Sequence, residues 1–222
     1  MKTKNEQMHI SGDPEMKPIR YRKIKRGLDA AGATAMLAVS LPAFVAISLL
    51  IKKESPGPVF FVHERVGLNG KPIRIYKFRS MKPGSEDLES TLNDIDLEAY
   101  YREFKLRNDP RVTEIGHRLR KLSLDELPQL INVIQGSLSL VGPRPVMEEE
   151  LSFYNDEERA KFLSVKPGIT GYWQVYARND ATYQSGKRQK MELYYAEHES
   201  FLLDILIFLR TPLAVLRKKG AY

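Results

Sequence analysis

The feature that most limits how this chain can fold is an uncharged stretch of 22 residues at positions 30–51. As an α-helix it would be about 33 Å long, which is close to the thickness of the hydrocarbon core of a bilayer. No small-residue cleavage motif follows it before Lys52, so it lacks the pattern of a signal peptide. The sequence therefore predicts one helix in the membrane.

Pro42 and the basic flanks of this stretch leave two membrane arrangements open. Pro42 lies near the middle, where it removes one backbone hydrogen bond, and the hydroxyl of Ser40 can satisfy groups freed at such a break. Five of the seven residues at 20–26 are basic, and Lys52 and Lys53 follow the stretch. Positive charge on both sides favours two cytoplasmic ends. A helix that enters and leaves through one leaflet and an ordinary kinked span both fit.

The composition narrows the classes of function. Of the 222 residues, 42% are hydrophobic, and the mean hydropathy of −0.38 excludes a protein with many membrane helices. Because the chain has no cysteine, it cannot form disulfides, zinc–thiolate sites or iron–sulfur clusters. The net charge is +7, and basic residues flank the apolar stretch. We therefore expect an anionic membrane lipid as a partner and no nucleic acid.

After the apolar stretch the pattern is that of a mixed α and β domain. Two β-rich runs, at 59–66 and 73–78, are separated by a Gly-Leu-Asn-Gly turn, which predicts a β-hairpin. Residues 85–107 have a helical and acidic pattern. The apolar stretch at 201–216 contains two charged residues, so we expect a helix that lies in the membrane interface or packs in the core.

Asp125 and Glu126 form the most chemically suggestive pair. Ser123 and Glu126 fit the capping-box pattern, which predicts a helix that starts here with two acids stabilising its dipole. Adjacent carboxylates at a helix start can also bind a divalent cation, attack phosphorus or handle protons. Pro128 fits only within the first turn of such a helix. The structural interpretation is the commoner one, and the spacing leaves both open.

Basic residues near this pair could bind phosphate. Arg120 lies five residues before Asp125, and Pro143 and Pro145 fix the backbone on both sides of Arg144. Arginine matches phosphate oxygens in a bidentate fork. The alternative for each arginine is a solvated position on the surface.

Lys77 and Arg79 alternate with aromatic residues along the second predicted strand, so the two basic side chains share one face. That face could bind an anion or simply be exposed to solvent. The sequence has no Walker-type loop and neither a Gly-x-Gly-x-x-Gly nor a Gly-x-Ser-x-Gly motif. The phosphate-binding patterns of the commonest nucleotide-binding folds are therefore excluded.

Several short motifs occur in a fixed order between residues 22 and 216. They are Lys25-Arg26-x-x-Asp29, Ser55-Pro56-Gly57-Pro58-Val59-Phe60-Phe61, Glu64-Arg65-Val66-Gly67, Tyr76-Lys77-Phe78-Arg79-Ser80-Met81, Leu124-Asp125-Glu126-Leu127-Pro128-Gln129-Leu130, Ser139-Leu140-Val141-Gly142-Pro143-Arg144-Pro145 and Lys166-Pro167-Gly168-Ile169-Thr170-Gly171. Together they resemble the bacterial sugar transferases, the monotopic phosphoglycosyl transferases that act on polyprenol phosphate. The length resembles the minimal catalytic form of that family.

The resemblance implies a helix-rich α+β monotopic membrane protein. It would have a re-entrant helix broken at Ser40 and Pro42, a small β-hairpin and interfacial amphipathic helices. We expect a disordered tail at 1–19, a basic flank and membrane helix at 20–53, and a catalytic domain at 54–222. The resemblance also implies the bacterial cytoplasmic (inner) membrane, with the catalytic domain on its cytoplasmic face.

The resemblance further implies a reaction and its residues. A sugar 1-phosphate would pass from a UDP-sugar to a polyprenol phosphate such as undecaprenyl phosphate, with Mg²⁺ as cofactor and UMP as product. Asp125 falls on the family's nucleophile and magnesium ligand, and Glu126 on the second acidic position. The basic and proline positions expected to bind substrate are Lys77, Arg79, Arg120, Pro143, Arg144, Pro145 and Arg178.

Two other functions fit parts of the same pattern. A membrane-anchored, Mg²⁺-dependent phosphatase or pyrophosphatase would use the same acids with water as the acceptor. A scaffold without enzymatic activity would bind anionic lipid through residues 20–26 and the C-terminal helix. The sequence leaves open whether the chain forms a homodimer and which sugar it carries.

Overall fold

The computed structural model describes residues 17–104, 106, 108–177 and 181–216. The α-helices in these ranges are α1 (Ile19–Glu54), α2 (Leu88–Thr91), α3 (Asp94–Glu103), α4 (Glu114–Lys121), α5 (Gln129–Gln135), α6 (Asp156–Leu163), α7 (Tyr172–Tyr176), α8 (Lys187–His198) and α9 (Phe201–Leu216). The strands are β1 (Phe60–Val66), β2 (Pro72–Phe78), β3 (Ser139–Val141) and β4 (Gly168–Thr170), and 3₁₀ turns cover Leu68–Gly70, Leu124–Glu126 and Glu149–Phe153. The predicted helix-rich α+β class is confirmed. Most of the predicted tail, residues 1–16, lies outside the described residues.

Helix α1 is one continuous helix of 36 residues, and it includes Ser40 and Pro42 without interruption. Ser40 Oγ donates a hydrogen bond to the carbonyl of Leu37 at 3.0 Å. In the described part of the chain, α1 is the one helix long and apolar enough to cross a membrane. Its middle is exposed to solvent, with Val39 83% exposed. This exposed apolar surface indicates membrane association, and the re-entrant arrangement stays a prediction.

The first turns of α1 are fixed to the rest of the protein by the Lys-Arg-x-x-Asp motif. Lys25 Nζ lies 2.6 Å from Asp204 Oδ2 of α9, and Arg26 Nη2 donates to the carbonyl of Ile134 at 2.6 Å. Asp29 accepts a hydrogen bond of 2.7 Å from Ser139 Oγ of β3. Because Lys25 and Asp29 are four residues apart, they lie on the same helix face. The motif therefore joins the membrane helix to the C-terminal part of the fold.

The predicted hairpin is confirmed. Strands β1 and β2 pair antiparallel, from Phe60 opposite Phe78 to Val66 opposite Pro72, and Asn69 in the turn has a φ of 56°. Asn132 of α5 attaches this helix to β2, because its Oδ1 accepts from the amide of Tyr76 at 2.9 Å and its Nδ2 donates to the carbonyl of Arg74 at 2.7 Å. These bonds hold the middle of α5 against the middle of β2.

A second, parallel pair of strands, β3 and β4, was not predicted from the sequence. Ser139 pairs with Gly168, and Val141 pairs with Thr170. Gly142 and Gly168 pass so closely that a Cβ on either would collide with the backbone of the other segment. The Gly-Pro-Arg-Pro motif at 142–145 and the Lys-Pro-Gly motif at 166–168 thus lie side by side.

The two longer predictions for helices had different outcomes. The helix predicted at 85–107 is divided into α2 and α3, because Asn93 caps α3 by accepting a hydrogen bond of 2.8 Å from the amide of Asp96. The C-terminal helix is confirmed as α9, and it leaves Leu202, Leu209 and Leu216 at least 65% exposed. An interfacial position in the membrane accounts for this exposure and remains a prediction.

Candidate active site

The acidic pair lies in a tight turn between α4 and α5, and the predicted capping box is wrong. Ser123 has a φ of 54° and makes no capping hydrogen bond with its side chain, and α5 begins only at Gln129. A helix that started at residue 124 would need an amide hydrogen on Pro128, which proline lacks. The chain forms the 3₁₀ turn Leu124–Glu126 instead. Both carboxylates therefore project from a short turn that Pro128 separates from the helix.

Asp125 is buried, with 7% of its surface exposed. Burial raises its pKa above the usual value, and the neighbouring Lys77 ammonium opposes this rise. Among the residues that the structure describes, no group donates a hydrogen bond to its carboxylate. A buried carboxylate that is not held by donors keeps its lone pairs available for an incoming electrophile or cation.

Glu126 is held by two of the predicted basic residues. Lys77 Nζ donates to Glu126 Oε1 at 3.1 Å, and Arg144 Nη1 lies 3.5 Å from the same oxygen. Burial lowers the pKa of Lys77, and Glu126 opposes that effect. The Arg144 side chain is still 31% exposed. Strand β2 and the turn after β3 thus bring Lys77 and Arg144 to Glu126. Their role in binding substrate stays a prediction.

Arg120 lies close to the pair but contacts another group. Its Nε donates to Ser80 Oγ at 2.9 Å. Burial lowers the pKa of Arg120, and the nearest opposing charge is that of Asp125. The close approach of α4 to the segment after β2 depends on Gly116, where a Cβ would collide with the backbone of Ser80. Arg120 therefore adds positive charge near Asp125 without pairing with it.

The remaining predicted basic residues have different positions. Arg79 donates to the carbonyls of Pro56 and Ser55 at 2.6 and 2.8 Å, and so it binds the chain that leaves α1. Those bonds tie Arg79 to the loop after α1 and not to the acidic pair. Arg178 lies outside the described residues. Pro143 and Pro145 flank Arg144 in the loop that follows β3.

Sequence reasoning missed a second buried charged group behind the first. Glu150 accepts hydrogen bonds from Arg65 at 2.9 Å, from Tyr183 at 2.8 Å and from the amide of Met147 at 2.9 Å, and Arg188 lies 3.4 Å away. The Arg188 guanidinium also lies over the ring of Tyr183, 4.0 Å from its centre. Burial raises the pKa of the Tyr183 hydroxyl, so it stays a donor to Glu150.

Glu192 connects this group to the acidic pair. It is 1% exposed, and both of its carboxylate oxygens lie 3.4 Å from the backbone amide nitrogen of Arg144. Burial raises its pKa to about 7, against the effect of the nearby Arg188. Glu192 and Arg188 are four residues apart on α8. This spacing of opposite charges is a signal in the sequence from which the two residues could have been predicted to lie together.

We refer to these groups by two names. The front cluster comprises Lys77, Arg120, Asp125, Glu126 and Arg144, and the rear cluster comprises Arg65, Glu150, Tyr183, Arg188 and Glu192. A narrow cleft joins them, lined by Arg65, Ile75, Lys77, Glu126, Gln129, Arg144, Pro145, Gly168 and Ile169. His63, beside Arg65 at 3.1 Å, has its pKa lowered to about 3 by burial and by Arg65 and Lys77. The lining of the cleft has three cations, Arg65, Lys77 and Arg144, and one acid, Glu126, and this balance favours phosphate groups.

Comparisons with known proteins agree with this arrangement. Residues 20–218 match the profile of the family described as bacterial sugar transferase. The chain is 43% identical over 204 residues to the UDP-galactose-lipid carrier transferase of Erwinia amylovora, and 41% identical over 204 residues to the undecaprenyl-phosphate galactose phosphotransferase of Salmonella typhimurium. Each match covers 90% of this chain and 42% of the relative.

A third relative is nearer in length. The exopolysaccharide production protein ExoY of Rhizobium meliloti is 42% identical over 201 residues, which are 89% of this chain and 88% of that protein. The chain thus spans less than half of the first two relatives and most of the third. Because the family profile matches nearly the whole chain, this protein belongs to the bacterial sugar transferase family.

Proposed function

We propose that this protein is a phosphoglycosyl transferase that moves a sugar 1-phosphate from a UDP-sugar to a polyprenol phosphate, taken to be undecaprenyl phosphate. The names of the relatives from Erwinia amylovora and Salmonella typhimurium, a UDP-galactose-lipid carrier transferase and an undecaprenyl-phosphate galactose phosphotransferase, support both substrates. The product would be the first lipid-linked intermediate in the assembly of a polysaccharide.

The observation that carries the proposal is the environment of Asp125. Its carboxylate is buried and accepts no hydrogen bond from the described residues, while Lys77, Arg120 and Arg144 surround it with positive charge. Those cations favour the approach of a diphosphate, which would otherwise be repelled by two carboxylates. A nucleophile needs this combination of free lone pairs and an electrostatically stabilised electrophile.

The proposed reaction has two displacements at one phosphorus atom. An oxygen of Asp125 attacks the β-phosphorus of the UDP-sugar, the bond from that phosphorus to the bridging oxygen breaks, and UMP leaves with the electron pair. A phosphate oxygen of the polyprenol phosphate then attacks the phosphosugar-aspartate and restores the carboxylate. Covalent storage of the sugar phosphate means that the water-soluble and the lipid substrates need not be bound together.

The front cluster supplies the groups for each displacement. Arg144 and Lys77 would bind oxygens of the diphosphate and stabilise the charge that develops on UMP as it leaves. Arg144 is the better placed for a bidentate contact, because its side chain remains partly exposed to the cleft. Glu126, which contacts both cations, would orient them and handle the proton of the incoming acceptor phosphate.

The donor set of the site fits Mg²⁺ bound together with substrate. Asp125 and Glu126 offer carboxylate oxygens, and the described residues contain no cluster of three or more acidic or histidine side chains that could enclose a metal ion. Mg²⁺ is usually held by one or two carboxylates, with substrate phosphates and water completing its coordination. Asp125 would be its protein ligand, and the ion would supply charge neutralisation to the diphosphate.

The membrane arrangement is part of the proposal. The basic residues on both sides of the apolar part of α1 favour two cytoplasmic ends, and Pro42 allows the helix to turn back within one leaflet. The exposed leucines of α9 would lie in the same interface. This would hold the cleft at the cytoplasmic surface of the bacterial inner membrane, beside an anionic lipid headgroup layer, where both substrates can reach it.

A panel of radiolabelled UDP-sugars tests the function. Purified protein is mixed with each donor, Mg²⁺ and undecaprenyl phosphate, and the nucleotide and lipid products are separated. We expect UMP and a lipid diphosphate-sugar with at least one donor. Release of UDP would mean that the sugar moves without its phosphate and would contradict the proposal. Steady UMP release without lipid would support the phosphatase alternative, and no reaction with any donor would favour the scaffold.

A further inference from the structure

The part of α1 that follows Pro42 packs against the rest of the protein on one side. Phe44, Ile47 and Ile51 are three and four residues apart, so they lie on the same side of the helix. Ile47 is 6% exposed and Ile51 is 2% exposed, whereas Leu49 on the other side is 67% exposed. We call Phe44, Ile47 and Ile51 the buried face of α1.

This buried face packs against the elements that carry the front cluster. Phe78 of β2 and Leu119 of α4 belong to one hydrophobic cluster with it. The rings of Phe44 and Phe78 have their centres 5.0 Å apart. Leu124 and Leu127, which lie on either side of the acidic pair, pack against the same cluster. The turn with the two acids is therefore supported by α1.

Each of these four apolar residues is the neighbour in sequence of a front-cluster residue. The neighbours are Lys77 with Phe78, Leu119 with Arg120, Leu124 with Asp125, and Glu126 with Leu127. Because packed interiors are hardly compressible, a change in the buried face of α1 would displace these charged residues together. Arg144 is held differently, since the amide of Gly168 donates to the carbonyl of Pro143 at 2.8 Å.

Polar contacts fix the end of α1 to the same elements. Glu54 Oε1 accepts a hydrogen bond of 2.9 Å from the backbone amide of Ile115 in α4. The buried Arg79, which follows β2, donates to the carbonyls of Ser55 and Pro56. These bonds hold the end of α1 in one position relative to the front cluster.

We propose that Ile47 is a positioning residue, and that the buried face of α1 aligns Asp125 for attack on the donor. A misplacement of about 1 Å between reacting groups can lower a rate about 10²-fold. Donor binding should depend less on this face, because the loop of Arg144 is held by β4. The inference rests on the proposed function and adds that the membrane helix takes part in aligning the site.

The test measures the first displacement in the full chain in detergent, without lipid acceptor. Protein is mixed with Mg²⁺ and rising concentrations of the UDP-sugar that the donor panel identifies, and the reaction is quenched rapidly. The burst of UMP gives an amplitude and a rate constant, and the concentration dependence of that rate constant gives the donor Kd. Thermal unfolding of each protein gives its Tm.

Two variants are matched controls for Ile47→Ala. Ile207→Ala makes the same change at a fully buried position of α9, in a different hydrophobic cluster. It therefore measures the effect of a cavity away from the buried face of α1. Leu49→Ala removes apolar surface from α1 on its exposed side.

We expect Ile47→Ala to lower the saturated rate constant about tenfold or more, with a donor Kd within about twofold of wild type. Ile207→Ala should lower Tm and the amplitude but keep the rate constant within about twofold, since a cavity elsewhere reduces the folded fraction alone. Leu49→Ala should match wild type. If circular dichroism shows that Ile47→Ala does not fold, Ile47→Val against Ile207→Val replaces it, with about a threefold loss expected.

Two results would overturn the inference while wild type is active. Rate constants that are equal for Ile47→Ala and Ile207→Ala would make Ile47 a residue of the core alone. A weakened donor Kd with an unchanged saturated rate constant would place the buried face of α1 in donor binding and not in alignment. A wild type that releases no UMP with any donor would instead contradict the proposed function, and the inference with it.

Discussion

The front and rear clusters each bring opposite charges together, but they differ in how their buried acids, Asp125 and Glu150, are held. Glu150 of the rear cluster accepts three hydrogen bonds of 2.8 to 2.9 Å and has Arg188 beside it. In the front cluster Glu126 lies 3.1 Å from Lys77 Nζ and 3.5 Å from Arg144 Nη1. Among the described residues, none donates a hydrogen bond to Asp125. The rear acid Glu150 is thus held by short hydrogen bonds, although Arg65 Nε and Arg188 Nε have no partner in the described part of the chain. Asp125 of the front cluster, in contrast, keeps its lone pairs for a ligand.

This difference in hydrogen bonding indicates that the charges of the rear cluster stabilise the fold, whereas those of the front cluster take part in the chemistry. A buried carboxylate that is held by several donors contributes a fixed geometry, and losing one partner of its ion pair is costly. A buried carboxylate without donors is unfavourable in the empty site and becomes favourable when a cation or a phosphorus atom engages it. The backbone amide nitrogen of Arg144 lies 3.4 Å from Glu192, so a contact joins the front cluster to the rear cluster. The rear cluster would thus position the arginine that the front cluster uses.

The largest expected effect comes from changing the two front acids separately. Asp125→Asn should lower turnover at least about 10³-fold, because an amide cannot form the phosphosugar-aspartate. Glu126→Gln keeps an acceptor for Lys77 and Arg144 but loses the charge, and should lower turnover by about 10²-fold. Transfer assays with circular dichroism check both. Similar small losses of turnover in the two variants would contradict the assignment of Asp125 as nucleophile and Glu126 as its partner.

The rear cluster should respond in stability more than in chemistry. Glu150→Gln leaves Arg65 and Arg188 with uncompensated buried charge, and should cost about 3–5 kcal/mol of unfolding free energy. Thermal unfolding in detergent measures this as a fall in Tm. Glu148→Gln is the control, because its pair with Arg159 is exposed and should contribute less than about 1 kcal/mol. A Tm change for Glu150→Gln no larger than the control's would show that the hydrogen bonds and ion pairs of Glu150 do not stabilise the fold.

Glu192 should give the rear cluster a dependence on pH. Folding raises its pKa from 4.5 to about 7, so between these values the folded state keeps a proton that the unfolded state has lost. Wild-type stability should therefore fall as the pH rises from about 4.5 to about 7, by roughly 3 kcal/mol at 1.36 kcal/mol per pKa unit.

Glu192→Gln is uncharged at every pH and should lack this decline. The measurement is Tm against pH for wild type, Glu192→Gln and the exposed control Glu197→Gln on the same helix. As the pH rises, the Tm of wild type should fall relative to that of Glu192→Gln. The Tm of Glu197→Gln should follow that of wild type. Parallel curves for all three proteins would contradict the raised pKa.

The smallest effect is expected at the link between the clusters. Arg144→Lys keeps the charge and the backbone amide that faces Glu192, and loses only the guanidinium fork. Donor binding should weaken by about 1–3 kcal/mol, measured as the Kd of UDP-sugar in the absence of lipid. Arg118→Lys, an exposed arginine of α4 that pairs with Glu114, is the matched control. An unchanged Kd for Arg144→Lys would remove this residue from the donor site.

Local patterns predicted much of the fold, and long-range contacts account for what they missed. The hairpin and α9 follow from alternation and apolar runs. The pair of β3 and β4 could not be predicted, because each strand has only three residues and their pairing depends on two glycines far apart in sequence. The capping box at Ser123 and Glu126 predicted a helix that starts there. That prediction was wrong because Pro128 prevents such a helix.

In the candidate site, too, local patterns identified some residues, and long-range contacts account for those that were missed. The backbone settings of Lys77 and Arg144, on a strand and between prolines, left open whether each binds an anion or faces solvent, and only the family resemblance placed both in the site. In the structure both contact Glu126. Alternation predicted that Arg79 shares a strand face with Lys77, but β2 ends at Phe78 and the Arg79 guanidinium binds the loop after α1. The rear cluster joins residues from three distant parts of the chain, so burial in the folded state is what identifies Glu150.

The central claim is that Asp125 forms a covalent bond to the sugar phosphate, and intact-protein mass spectrometry tests it most directly. Wild type, Asp125→Asn and Glu126→Gln are mixed with UDP-sugar and Mg²⁺ without lipid acceptor. We predict that wild type gains the mass of one sugar phosphate, that peptide mapping assigns it to Asp125, that undecaprenyl phosphate removes it, and that Asp125→Asn gains nothing. An adduct on Asp125→Asn, or lipid-linked product from that variant at the wild-type rate, would contradict the account.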